Sequence, residues 1–167
     1  MTRLQPRQLD ENPFSLLADD WMLITAGGPS DHNTMTASWG GVGHMWGKDV
    51  CWCVVRPTRC TFDYMERSRF HTLCFLDEDH RGALNFCGTR SGRDTPSKSA
   101  AAGLTAIEGP EPGSTIFREA RMSIICRKIY TQDLDPTHFL DPSLQTFYPH
   151  QDYHRMYMGE IVAILRQ

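Results

Sequence analysis

Short apolar runs, each closed off by glycine, proline or a polar cluster, constrain this chain more than any other feature. Trp21 to Ala26 (Trp-Met-Leu-Ile-Thr-Ala) reads as a buried strand, and residues 34–39 read as a second. Val50 to Val55 is a third strand, ended by Arg56-Pro57, and Phe70 to Leu76 is a fourth. Met122 to Tyr130 and His154 to Leu165 supply the late strands. Short helices fit between them. One covers Thr61 to Arg67 with Thr61 as its cap, one covers Arg81 to Phe86, and one covers about 95–102. In the last, Pro96 suits the first turn and the alanines suit the body. Strands and helices do not alternate regularly, and no GxGxxG opens a helix. This argues against a doubly wound nucleotide-binding sheet and points to a mainly β barrel decorated with short helices.

Residues 1–12 read as an N-terminal arm and residues 13–167 as a single domain, with an irregular surface excursion at 131–153 rich in Asp, Pro and aromatics. The 167 residues are enough for one core, and the formal charge of −3 gives no general pull toward nucleic acid or an acidic membrane. No apolar run approaches the ~20 residues of a membrane helix. Met1 to Asn12 lacks an apolar signal core, so a cytoplasmic protein is expected. The six cysteines, at 51, 53, 60, 74, 87 and 126, include no pair with a two-residue gap. They read as reduced, mostly buried thiols. His150 and His154 have a spacing that suits a metal only on a helix, and Tyr148-Pro149 argues against one there, so no metal is expected.

Four segments carry chemistry. The run Asn33-Thr34-Met35-Thr36-Ala37-Ser38-Trp39-Gly40-Gly41 sets small and hydroxyl-bearing side chains between glycine breakers. Its backbone can approach a flat, polar, anionic ligand closely. Arg56-Pro57-Thr58-Arg59-Cys60-Thr61 brings two guanidinium groups to a helix start, which suits a phosphate. Asn85-Phe86-Cys87-Gly88-Thr89-Arg90-Ser91-Gly92-Arg93-Asp94, followed by Lys98, is a glycine-spaced loop of hydroxyls and bases. Tyr153-His154-Arg155-Met156-Tyr157-Met158-Gly159-Glu160-Ile161 takes a histidine into a strand, where its charge can change near neutral pH. Each has a plainer reading: a solvated strand end, a flexible loop, a core tryptophan at Trp39, a structural histidine at His154.

Together, from about Asn12 to Val162, these segments resemble the flavin reductase-like family of FMN-binding split-barrel proteins. The resemblance implies a six-stranded antiparallel split β-barrel with short flanking helices, a homodimer, and FMN near the subunit interface. By position, Thr36, Ala37, Ser38 and Trp39 would line the flavin ring and ribityl chain. Arg59 and Thr61 would hold the phosphate with Arg56 nearby, and Lys98 would add charge. Cys87, Gly88, Ser91, Gly92 and Arg93 would wrap the cofactor, and Tyr153 and His154 would lie by the ring, His154 as the catalytic residue. Cys60 stands where the family pattern often has an aromatic. The flavin would carry the redox chemistry, which explains the lack of a protein catalytic dyad. Three functions follow from the resemblance, in descending order. They are an NAD(P)H-dependent flavin reductase, a flavoredoxin-like electron carrier reduced by a protein partner, and a binder of a non-flavin ligand.

Overall fold

In the computed structural model, which describes residues 1–167, the chain is mainly antiparallel β-structure with short helices against it. The strands are β1 (Thr2–Leu4), β2 (Met22–Gly28), β3 (Asp31–Ala37), β4 (Gly40–Met45), β5 (Lys48–Val55), β6 (Phe70–Leu76), β7 (Ala106–Glu108), β8 (Thr115–Phe117), β9 (Ala120–Asp133) and β10 (Arg155–Arg166). The α-helices are α1 (Pro13–Ser15), α2 (Cys60–Arg67), α3 (Arg81–Thr89) and α4 (Lys98–Ala101).

The main sheet has eight strands rather than six, in the order β3-β2-β6-β9-β10-β5-β4, with β1 added beside the end of β10. Every ladder is antiparallel, and none joins β3 to β4, so the barrel does not close. β7 and β8 form a separate hairpin. No helix is long and apolar enough to cross a membrane.

The apolar runs read as strands because the sheet is covered on both faces. Along β2, Met22, Ile24 and Ala26 enter one core cluster while Leu23 enters the other. β9 does the same, with Met122, Ile124 and Cys126 on one side and Ile125 on the other. Successive side chains point to opposite faces, so a strand buried on both faces reads as a continuous apolar run. The first cluster is completed by Met65 of α2, and the second by Ala83, Leu84 and Cys87 of α3 with Ile116 and Phe117 of β8.

Two expectations are corrected. β4 was hidden by its glycines. A Cβ on Gly41 would lie 2.2 Å from Cζ2 of Trp52, the residue opposite it on β5. Trp46 and Gly47 turn this hairpin with φ of 54° and 70°, a turn whose twist suits paired strands. The helix expected over 95–102 is confined to Lys98–Ala101, because Ser97 adopts a left-handed φ of 51° and separates Pro96 from it. Within residues 1–12, β1 pairs with β10, and the Arg3 guanidinium donates to the Val162 carbonyl at 2.9 Å.

Candidate functional site

A cavity of about 200 Å³ lies at the crossover from β3 to β4, where the sheet ladder is open. Met35, Thr36, Ala37, Ser38 and Trp39 line one wall. Val54 and Arg56, from the end of β5, and His154, from just before β10, line the other. Alternation along β5 explains the selection. Val54 turns to the cavity while Cys51, Cys53 and Val55 turn to the core.

The polar side chains of this wall are held in place. Thr36 Oγ1 donates to the Leu84 carbonyl of α3 at 2.5 Å. His154 is 8% exposed, and its Nδ1 is hydrogen-bonded to the Tyr148 hydroxyl at 2.8 Å. Trp39 packs against both His154 and Phe147, with ring centroids 5.3 Å away in each case. Burial, helped by the nearby Arg56 charge, pulls the His154 pKa down from 6.5 to about 4, so the ring is neutral at neutral pH. Its Nε2 makes no hydrogen bond within the protein, which leaves that nitrogen for a ligand.

A second constellation adjoins the first. Arg59, the N-cap of α2, is half-buried, and its guanidinium donates to the Gly88 carbonyl at 2.9 Å. Gly88 sits against Thr36, since a Cβ there would lie 3.4 Å from the Thr36 Cβ. Thr36 therefore touches both the cavity and the end of α3, and Arg59 is the next group along. Asn33 joins the remaining motifs. Its Oδ1 accepts from the buried Thr61 hydroxyl at 2.8 Å, and its Nδ2 lies where a Cβ on Gly92 would sit, 1.9 Å away. The first three sequence motifs thus meet around Asn33, Thr36, Arg59, Gly88 and Gly92.

Several of the predicted residues are already engaged within the protein. Arg56 lines the cavity, but its guanidinium binds Asp152 at 2.6 Å and the Phe147 carbonyl at 2.8 Å, so it fastens the 131–153 excursion. Arg93 is held by the Thr58 carbonyl and Asp63. Lys98 is 5% exposed, its ammonium donates to the Cys87 and Arg90 carbonyls, and burial lowers its pKa. Ser91 Oγ accepts from the Arg93 backbone N–H. Cys87 lies wholly in the second core cluster, and burial raises its pKa. Tyr153 is not in the cavity wall. It stacks on Tyr148, with centroids 4.8 Å apart, and borders a different hollow with Pro57, Phe62 and Arg155.

Sequence reasoning missed Met35 and Val54 in the wall, Tyr148 on His154, Asp152 on Arg56 and Asn33 at the junction. The aromatic and acidic richness of 131–153 was the available signal for Tyr148 and Asp152.

The family model for the flavin reductase like domain matches residues 14–166. The chain belongs to this family. Comparison with curated proteins gives no match. Among solved structures, similarity extends to an FMN-binding domain of a flavin reductases-like enzyme from Shewanella baltica. Identity to it is 15% and the TM-score 0.70, over 98% of this chain and 75% of that one. Flavoredoxin of Desulfovibrio vulgaris is 16% identical at a TM-score of 0.68, covering 100% of this chain and 77% of that one. An NADH:FAD oxidoreductase of Streptomyces globisporus is 14% identical at 0.68, covering 89% of this chain and 75% of that one. As a flavin reductase-like protein the chain shares their fold, and the motifs quoted above supply its cavity wall and the adjoining Arg59 junction.

Proposed function

We propose that this flavin reductase-like protein binds FMN, with the ring in the β3–β4 cavity and the phosphate toward Arg59, and that it reduces the flavin with NAD(P)H. The observation that carries this reading is the continuous path from the cavity wall at Thr36, through Gly88, to the Arg59 guanidinium. Arg59 makes one protein hydrogen bond, so it keeps donors for an anion. Arg93 and Lys98 are already engaged, and their part is to hold the loop that frames the phosphate end.

FMN fits these residues. The cavity wall mixes apolar side chains with small residues whose backbone can reach ring edges. The neighbouring α2 N-terminus and Arg59 suit a phosphate. Bound FMN would supply the hydride-accepting chemistry, so no protein nucleophile is called for. Residues 36–39 orient the ring, Trp39 and Phe147 limit water on one side, and neutral His154 offers Nε2 to a bound nicotinamide or substrate. Tyr153 acts through its stacking on Tyr148, which in turn holds His154. A homodimer belongs to this proposal. Trp39, Leu144 and Phe147, 42%, 40% and 51% exposed, line an apolar hollow that adjoins the cavity at Trp39, and a second subunit would cover such a patch. A reducing cytoplasm suits the six free cysteines.

The test is a visible spectrum of the purified, desalted protein loaded with FMN, followed anaerobically on adding NADH and then NADPH. Prompt bleaching is expected. A flavin spectrum that persists until a partner reductase is added would replace the reductase with a flavoredoxin-like carrier. Failure to bind added FMN would overturn both. His154→Ala is expected to change turnover or nicotinamide affinity more than FMN affinity, and a loss confined to FMN binding would remove His154 from the reaction.

A further inference from the structure

Away from the cavity, two thiols and an imidazole meet inside the sheet. Cys51 on β5, His71 on β6 and Cys126 on β9 are 0%, 2% and 0% exposed. Their sulfur and nitrogen atoms all lie within 4.8 Å of one another, and the two sulfurs are 2.8 Å apart. Neither ring nitrogen of His71 has a hydrogen-bond partner, although both are buried. Buried polar atoms are nearly always satisfied, so an imidazole left bare on both sides asks for an explanation.

The fold makes room for this meeting at one residue. His71 and Cys126 are direct partners across the β6–β9 ladder, and Cys51 is opposite Gly159 on β10. A Cβ on Gly159 would lie 2.6 Å from the Cys126 Cβ and 2.8 Å from the His71 Cε1. The missing side chain lets donors from strands on both sides of β10 converge.

Simple packing explains the thiols, which behave as small apolar groups, but it leaves the imidazole unpaired. A disulfide would join the two sulfurs, which are already 2.8 Å apart, but it too would leave the imidazole unpaired. An ion held by both sulfurs through bonds of about 2.3 Å would engage the imidazole as well, and it would set the sulfurs farther apart than they now lie.

We propose that Cys51, His71 and Cys126 form a buried site for a thiophilic metal ion, Zn(II) or Cu(I). Two thiolates and a neutral imidazole are a donor set that such ions select. Binding forms two metal–sulfur bonds and one metal–nitrogen bond and releases the thiol protons to solvent, with no change of oxidation state. Zn(II) ordinarily takes four ligands, whereas Cu(I) accepts three, so the number of protein donors bears on which ion is held. The site lies on the core face of β5, while Val54 and Arg56 face the cavity. It ties β5, β6 and β9 together and takes no part in the cavity chemistry. All three donors are closed to solvent, so the ion enters as the chain folds.

The test is to express the full chain in medium supplemented with Zn(II) or, separately, with copper. The native protein is passed through a chelator, and its metal is measured by mass spectrometry before and after unfolding. About one ion per chain, held against the chelator and released on unfolding, is expected from a structural thiolate site. Retention in only one of the two preparations identifies the ion. His71→Ala and Cys126→Ser are expected to retain less than about a tenth of it, and Cys74→Ala, a buried thiol outside the cluster, to retain it all. If the cluster variants fail to fold, thiol counting on the unfolded wild type decides. A metal-free chain with all six thiols reactive overturns the proposal in favour of packing. A metal-free chain lacking two reactive thiols overturns it in favour of a disulfide.

Discussion

Strand β5 turns its two faces to two different polar constellations. On one face, Val54 and Arg56 border an open cavity in which Arg56, Thr36 and His154 are each hydrogen-bonded to the protein. On the other, Cys51 meets Cys126 and an imidazole whose ring nitrogens make no hydrogen bond of ordinary geometry. The difference separates two ways of holding a ligand. The open site has a rigid polar frame and offers a ligand what remains, namely backbone edges, one ring nitrogen and part of one guanidinium. The closed site presents two packed thiols and a buried imidazole that stays unpaired until something joins it.

The hardest blow to the closed site alone is Gly159→Ala. The added methyl meets Cys126 and His71 in a packed core, and overpacking of this kind costs about 1–3 kcal/mol, here toward the upper end. Urea denaturation should show that loss, while FMN affinity per folded molecule stays unchanged. A cost under about 1 kcal/mol would mean that β10 shifts easily and that the two faces are less independent than described.

The open site is broken from its phosphate end. Arg59→Ala should weaken FMN binding more than tenfold, because a hydrogen bond to a charged group contributes about 1.5–3 kcal/mol. Arg93→Ala should weaken it less, because that guanidinium is already held by Asp63 and the Thr58 carbonyl. Fluorescence quenching on both variants ranks them. Equal losses would widen the anion site beyond Arg59.

A pH titration acts on the open site through His154. Its pKa is near 6.5 in the unfolded chain and about 4 in the folded one, so the unfolded state binds more protons between those values. Stability from the neutral ring is complete above pH 6.5 and is lost as the pH falls through 4. Allowing for screening at the open side of the cavity, the loss should be about 2 kcal/mol. The quantity to measure is the difference in unfolding free energy between wild type and His154→Gln, which should shrink across this window. A difference that does not change with pH would mean that the folded ring titrates normally.

The two constellations were unequally legible in the sequence. Continuous apolar runs such as Met22 to Ala26 were readable because both faces of the sheet are covered. One wall of the open cavity was readable too, because Thr36 to Trp39 form a single run. What the cations do was not readable. Arg56 and Lys98 look alike as positive charges, and only the fold shows one fastened to Asp152 and the other to carbonyls. β4 was masked because Gly41 and Gly43 lie beneath the Trp52 side chain and Gly40 against its backbone carbonyl, and nothing local announces those contacts. The closed site left no trace, since Cys51, His71 and Cys126 come from three strands and share no spacing motif.

The finest distinction within the open site is between burial and hydrogen bonding at His154. Tyr148→Phe removes only the hydroxyl that binds Nδ1, and it keeps the ring that stacks on Tyr153 and lies under Arg56. The expected stability cost is about 1 kcal/mol, that of one hydrogen bond. FMN affinity should hold, while turnover falls as the imidazole loses its fixed orientation. The His154 pKa, followed by NMR, should stay well below 6.5, because burial rather than the Tyr148 hydroxyl is what lowers it. A return toward 6.5 in this variant would reverse that order of causes and make the hydroxyl, not the closed wall, the group that keeps His154 neutral.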